Sequence, residues 1–234
     1  MTEPSGAISV VIPALNAEAR LAACLDALVA AAVDGLVREV VVVDGGSTDD
    51  TLRIADGFGA RIVKAPPGRG GQLRAGGAAA RSEWLLFLHA DTVLEDGWTD
   101  EVRHFIEKNA CDAGVFTLAF DAKGLAPRAV AAGAMMRTRF VKSPYGDQGL
   151  LISRKAYDEI GGFRDMPLFE DVDIVKRLLR RHTNMAFHVF TTKAVTSAER
   201  YEREGYAKRV FKNFVLFTRY QLGAAPEKLV KGYH

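Results

Sequence analysis

The residues best placed to do chemistry are carboxylates that follow buried runs. Asp44 comes directly after the run Glu39 to Val43, and Asp91 follows the run Trp84 to Leu88 through His89 and Ala90. A carboxylate at the carboxyl end of a buried strand has two uses: it accepts hydrogen bonds from ribose or base edges, or it holds a divalent cation against phosphates. Either aspartate alone could be no more than a turn or helix-cap residue. Two at successive strand ends make that reading weaker. His89 adds an imidazole that a borderline metal accepts, although a lone histidine near a strand end is more often simply hydrogen-bonded. A second set of polar residues comes later in the chain: Asp147 and Gln148 in the loop Ser143 to Gly149, the pair Glu170-Asp171, and Arg200. Arg69, Gln72 and Arg74 sit in the glycine-rich stretch Gly68 to Ala80, where they could reach a base or a phosphate.

The elements that must position these residues alternate. Ile8 to Ile12 (ISVVI), Glu39 to Val43 (EVVVV, four consecutive valines) and Trp84 to Leu88 (WLLFL) have the pattern of strands covered on both faces, and Arg61 to Lys64 is a further strand candidate. Leu21, Cys24, Leu25 and Leu28 recur at helical spacing after the first strand, with Asn16 as the expected N-cap. Ser47 and Asp50 have the spacing of a capping box. Such alternation implies an α/β fold with a mainly parallel, Rossmann-like sheet flanked by helices, whose ligands bind at the carboxyl ends of the strands. The second half predicts a strand over Gly114 to Phe120, a helix over Ala126 to Phe140, a helix over Asp171 to Arg181, a strand over Ala186 to Thr191 and a basic, aromatic helix over Tyr206 to Leu222. The expectation is one domain over 1–234, with a donor half to about 109 and an acceptor half from 110.

In order and spacing the chain resembles glycosyltransferase family 2, the inverting GT-A enzymes, in its small, transmembrane-free bacterial form. The resemblance is carried by Val11 to Asn16 (VIPALN), Asp44 to Thr51 (DGGSTDDT), Leu88 to Asp91 (LHAD), Gly161-Gly162-Phe163 and Glu170-Asp171. It implies a nucleotide-sugar donor, uridine or guanosine, and Mg²⁺ or Mn²⁺. Asp44 with Gly45 would meet the base or ribose, against the backbone of Pro13 to Asn16. Asp91, beside Ala90, would ligate the metal that bridges the donor phosphates. Arg69, Gln72, Arg74 and Arg200 would add donor contacts, and Asp147, Gln148 and Glu170 would hold the acceptor. Asp171 would be the general base. His89 stands where the family usually has the first acid of its D-x-D-like motif, and is a second candidate metal ligand. The Q-x-x-R-W motif of processive synthases does not occur, which disfavours polymer synthesis.

Composition limits the alternatives. The 234 residues carry 31 Lys and Arg against 29 Asp and Glu, a net charge of +2 that gives no nucleic-acid footprint. Cys24 and Cys111 are neither a disulfide framework nor a zinc site. No apolar run reaches the roughly 20 residues of a spanning helix. A cytoplasmic protein is therefore expected, with peripheral contact at the inner face of the membrane through the C-terminal helix, a lipid-linked acceptor and a homodimer as further partner expectations. Two competing readings are a sugar-phosphate nucleotidyltransferase and a degenerate nucleotide-sugar-binding or scaffolding protein. The first would need a glycine-rich phosphate loop after the first strand, where VIPALN stands instead.

Overall fold

The computed structural model describes residues 7–108, 112–181 and 187–232; Asn109, Cys111 and Ala186, named above, lie outside them. The first half runs β1 (Ile8–Ala14), α1 (Glu18–Val33), β2 (Val37–Asp44), α2 (Thr51–Gly57), β3 (Arg61–Lys64), α3 (Arg69–Ala79) and β4 (Trp84–Phe87). Next come β5 (Thr92–Leu94), α4 (Trp98–Lys108), β6 (Ala113–Phe120) and α5 (Leu125–Met136). The rest comprises β7 (Leu150–Ser153), α6 (Arg154–Glu159), α7 (Glu170–Arg181), β8 (His188–Thr196), α8 (Glu199–Glu204), α9 (Tyr206–Gln221) and α10 (Pro226–Leu229).

The eight strands form a single sheet in the order β3-β2-β1-β4-β7-β6-β8-β5. The first four are mutually parallel, as their β-branched runs predict. Alternate side chains of these strands enter two separate apolar layers. Val10, Ile12, Val42, Leu86 and Leu88 face one, while Val11, Val41, Val43, Leu85 and Phe87 face the other. Helix α3 can approach the sheet closely because Gly76 has no Cβ; one there would collide with Val11 Cγ1 and Val43 Cγ2. The glycines of this stretch thus serve packing.

The sheet is more mixed than the sequence predicts. β7 is antiparallel to both β4 and β6, and β5 is antiparallel to β8, while β6 and β8 are parallel. The helix expected over Ala126 to Phe140 changes character near its end, with a π-helical turn at Arg137–Val141 closed by Lys142 in the left-handed region, φ 51°. Asn16 does not cap α1, which begins after Ala17 without a side-chain cap bond. Nor do Ser47 and Asp50 form a capping box: α2 starts at Thr51 with no cap bond from Asp50.

Candidate functional site

β1, β2, β4, β6 and β8 all run toward one edge of the sheet, and a cleft of about 840 Å³ opens there. Its first wall is built by two loops that grip one another. Asn16 accepts at Oδ1 from Thr48 N (2.9 Å), and its own N–H donates to Ser47 Oγ (2.9 Å). Ala17 N donates to Thr51 Oγ1, Glu18 N donates to Asp49 Oδ2, and Asp50 N returns a bond to Glu18 Oε2. Asn16, Ser47, Thr51 and Asp49 thus tie the two loops together across some thirty residues, while Asp44, Asp49 and Asp50 also make local bonds to Ser47, Thr51 and Arg53. Gln72 ties the same strand ends together, its Nε2 donating to Ala14 O and Val43 O at 2.8 Å each.

Asp44 is buried behind this wall, and its carboxylate accepts from Gly46 N and Ser47 N, both at 3.0 Å. Burial raises the Asp44 carboxyl pKa, but the bonds from Ser47 and Gly46 and the charge of Lys64 outweigh it and leave the group below its ordinary value. Asp44 and Gly45 do not line the cleft; Pro13, Asn16, Arg69 and Gln72 do.

Beyond β4 the chain presents His89, Ala90 and Asp91 to the cleft. Asp91 is exposed, and its carboxylate accepts a long 3.5 Å contact from Thr92 Oγ1. Such a carboxylate can take a hard cation. Burial, with the positive charges of Arg69 and Arg200, holds the His89 imidazole well below its usual pKa. It is neutral at physiological pH, the form that ligates metals. No cluster of three His, Cys, Asp or Glu side chains that could enclose a metal occurs among the described residues. A cation at Asp91 would complete its shell from phosphate oxygens and water, as Mg²⁺ commonly does. Cys24, packed below, is buried, and its thiol is pushed up to about 12 by that burial, which leaves it unreactive.

The facing wall comes from the loop before β7 and the start of α7. Asp171 accepts at Oδ2 from Gly146 N (2.7 Å) and at Oδ1 from Val172 N (2.7 Å). A Cβ on Gly146 would lie 2.6 Å from His89 Nε2, so any other residue there would push the imidazole aside. Phe169, just before the acidic pair, holds φ 66° while buried. This conformation costs a bulky residue of the order of 1 kcal/mol or more. Its ring stacks on Tyr220 (4.7 Å) and meets Phe217 (6.3 Å), so α9 fixes the entry to α7. Glu170 is buried against Arg69 Nη1 at 3.5 Å. Burial and the neighbouring Asp171 raise its pKa, which one long contact to the arginine does not offset.

Asp147 is pushed up to about 6, by burial first and by the carboxylates of Asp171 and Asp91, against the opposing charges of Arg137 and Arg69. Its Oδ1 is buried without a hydrogen-bond partner. A carboxyl raised in the folded state favours folding at low pH, and that contribution is lost as pH rises from about 4 through about 6. Asp147→Asn should therefore match the wild type in stability below about pH 4 and exceed it by about 1–2 kcal/mol at pH 8. Urea denaturation at the two pH values checks this. An equal difference at both would mean that the carboxyl is not destabilised by its setting.

The cleft thus brings together Pro13, Asn16, Arg69, Gln72, His89, Ala90, Asp91, Asp147, Glu170, Asp171 and Arg200. Besides Asp44 and Gly45, two further sequence candidates lie outside it. Gln148 is fully buried: Oε1 accepts from Thr138 Oγ1 (2.7 Å), and Nε2 donates to Phe116 O (3.0 Å), so it pins the loop to the core instead of facing an acceptor. Arg74 is exposed on α3 and does not line the cleft. Tyr145, Arg209 and Asn213 line it without having been singled out by sequence. The signal for the last two was their i, i+4 spacing on one face of a helix whose obvious stripe is aromatic.

Four parallel strands in the order 3-2-1-4, with a cleft at their carboxyl ends, define a doubly wound α/β protein. The pattern described as Glycosyl transferase family 2 matches residues 9–164, about two thirds of the chain, and the chain belongs to that family. It is similar to glucosyl-3-phosphoglycerate synthase of Mycobacterium tuberculosis, 40% identical over 95 residues, 37% of this chain and 29% of that protein. It is also similar to a PGL/p-HBAD biosynthesis glycosyltransferase of Mycobacterium tuberculosis, 40% identical over 98 residues, 39% and 38% of the two chains. The aligned region is therefore well under half the length of either relative. A crystal structure of the Mycobacterium tuberculosis synthase with Mn²⁺, uridine diphosphate and glucosyl-3-phosphoglycerate superposes with TM-score 0.58 at 25% identity, covering 82% of this chain and 70% of that one. The same synthase with phosphoglyceric acid gives TM-score 0.63 at 22% identity, covering 89% and 78%. Among the described residues no helix is long and apolar enough to cross a membrane.

Proposed function

We propose that the chain is a metal-dependent, inverting glycosyltransferase that moves a sugar from a uridine diphosphate donor to a hydroxyl acceptor. The observation that carries this reading is the division of one cleft between an exposed carboxylate, Asp91, behind β4 and a second carboxylate, Asp171, at the start of α7. The loops around Asn16 and Ser47, braced from behind by Asp44, receive the nucleoside. Asp91 holds a Mg²⁺ or Mn²⁺ ion, with His89 beside it; when bound, the ion neutralises charge on the departing diphosphate. Arg69 and Arg200, whose charges already act on His89, are the side chains positioned to assist it.

Asp171 takes the proton from the attacking hydroxyl. Its two backbone hydrogen bonds orient the carboxylate without engaging every lone pair. Asp147, with a buried and unpartnered Oδ1, and Glu170 contact the acceptor. The uridine preference is supported by the synthase structure, which contains that nucleotide together with Mn²⁺.

A thermal-shift comparison tests the donor assignment, because a ligand that binds only the folded state raises apparent stability by mass action. At a uridine diphosphate concentration about a hundred times its dissociation constant, the stabilisation should reach about 2.7 kcal/mol with Mn²⁺ and be much smaller with chelator present. A larger shift with guanosine diphosphate would reassign the base. No shift with either nucleotide would remove the donor reading.

A further inference from the structure

The outer surface formed by α5, the π-helical turn and α9 has the wrong polarity for a face bathed in water. On α9 the buried side carries Arg209, 3% exposed, and Leu216, while Phe211 and Phe214 stand 68% and 65% exposed. Ala207, Val210, Phe211 and Phe214 recur at helical spacing along this outward stripe. α5 packs beside α9 and repeats the pattern. Its exposed side chains include Leu125, Ala129, Ala132 and Met136, and the turn that follows adds Phe140 (80% exposed) and Val141. Scattered apolar side chains on a surface need no explanation, but two adjacent helices with apolar outer stripes form a contiguous patch that does.

The charges around the patch identify what covers it. Segments 122–142 and 206–222 together contain nine Lys and Arg and no Asp or Glu; Arg209 is buried and Arg137 turns inward onto Ser143 O and the Tyr145 ring, which leaves seven cations beside the outer stripes. Lys123, Arg128, Arg139 and Lys142 accompany the α5 stripe; Lys208, Lys212 and Arg219 accompany that of α9. An apolar stripe edged mainly by cations, with Glu204 already paired to Arg209 and Lys212, fits an anionic lipid surface, where aromatic and aliphatic groups enter the headgroup boundary and the basic groups remain among phosphates. A second copy of the chain fits poorly. A two-fold contact places the same patch on itself, cation against cation, while Glu204 beside it is already engaged by Arg209 and Lys212.

The geometry points to this face as a docking surface for an anionic phospholipid bilayer, formed jointly by α9 and by α5 with its π-helical extension. Docking would set the cleft beside the bilayer, because Arg209 and Asn213 on the inner side of α9 line that cleft while Phe211 and Phe214 on its outer side enter the lipid. The surface is independent of the transfer chemistry, and its test does not require turnover.

Sedimentation of the full chain with vesicles of phosphatidylglycerol and phosphatidylcholine, against vesicles of phosphatidylcholine alone, tests it. Binding to the anionic vesicles is expected, and it should weaken severalfold between about 0.05 and 0.5 M salt as the Debye length contracts. The triple variant Phe140→Ser, Phe211→Ser, Phe214→Ser should lose at least about tenfold in vesicle affinity. The charge variant Arg139→Glu, Lys142→Glu should lose about fivefold or more. Both variants alter exposed side chains, so both should keep the wild-type melting temperature and the nucleotide-induced thermal shift. The proposal is overturned if the wild type ignores anionic vesicles, or if the triple variant binds them as well as the wild type. It is equally overturned if sedimentation equilibrium shows a dimer that the same substitutions dissociate, which would give the face to a second copy.

Discussion

Asp171→Asn should lower the transfer rate by about 10²–10⁴-fold, the usual contribution of a positioned general base. The substitution keeps the size of the side chain and the acceptor oxygen that receives Gly146 N–H, so the loop before β7 should stay in place. It removes the ability to accept a proton at neutral pH and, with the single amide oxygen kept on Gly146 N–H, gives up the bond from Val172 N–H. Nucleotide affinity should change little, since Asp171 lies at the start of α7, whereas the proposed nucleoside wall and metal ligand come from the β1, β2 and β4 ends. Parallel measurement of turnover and of uridine diphosphate affinity separates the outcomes. Near-wild-type turnover would move the base to Glu170 or Asp147, the neighbouring carboxyls whose raised pKa values make them alternative proton acceptors. A joint fall in turnover and affinity would make Asp171 part of the donor site.

Asp91→Ala should abolish most of the metal dependence of nucleotide binding, while His89→Ala should weaken it less. Only the carboxylate offers a hard, anionic oxygen, and among the described residues no cluster of three acidic, His or Cys side chains stands ready to replace it. The imidazole is neutral, and its Nε2 is packed against Gly146, so part of its role is to shape the loop. At saturating Mn²⁺, calorimetric titration of uridine diphosphate should show a loss of about a hundredfold for Asp91→Ala, in line with several kcal/mol of charge stabilisation by the ion. Undiminished, metal-dependent affinity in that variant would remove Asp91 as the ligand. A larger loss at His89 would exchange the two roles.

The two halves of the chain differed in how openly the sequence declared them. β1, β2 and β4 were legible because strands covered on both faces are largely apolar, with Ser9 the buried polar exception in β1 and Arg38 and Glu39 confined to the start of β2. β5, three residues long and placed directly after Asp91, and β7, four residues after a glycine-rich loop, are too short to show a period, and their antiparallel pairing depends on β8 and β4, far away in sequence. The same distance explains the misassigned caps. Asn16, Ser47 and Asp50 are the residue types that close a helix start locally, but Asn16 and Ser47 bond across to each other's loop and Asp50 pairs with Arg53. Asp91, Glu170 and Asp171 could be found because motif order placed them. Gln148 could not be excluded, since a glutamine in a polar loop gives no hint that Thr138 and Phe116 will bury it. Arg209 was hidden for the opposite reason: its helix buries this arginine while Phe211 and Phe214 stand outside.

The central claim, that this family member performs metal-assisted transfer chemistry on a nucleotide sugar, is tested most directly by incubating the protein with uridine diphosphate sugars and Mn²⁺ without acceptor and measuring release of uridine diphosphate. Slow donor hydrolysis that needs the metal, stops with chelator and is lost in Asp91→Ala is the predicted result. A protein that binds the donor with Mn²⁺ yet releases no nucleotide, with water or with any hydroxyl acceptor supplied, would contradict the account and leave a nucleotide-sugar-binding protein in its place.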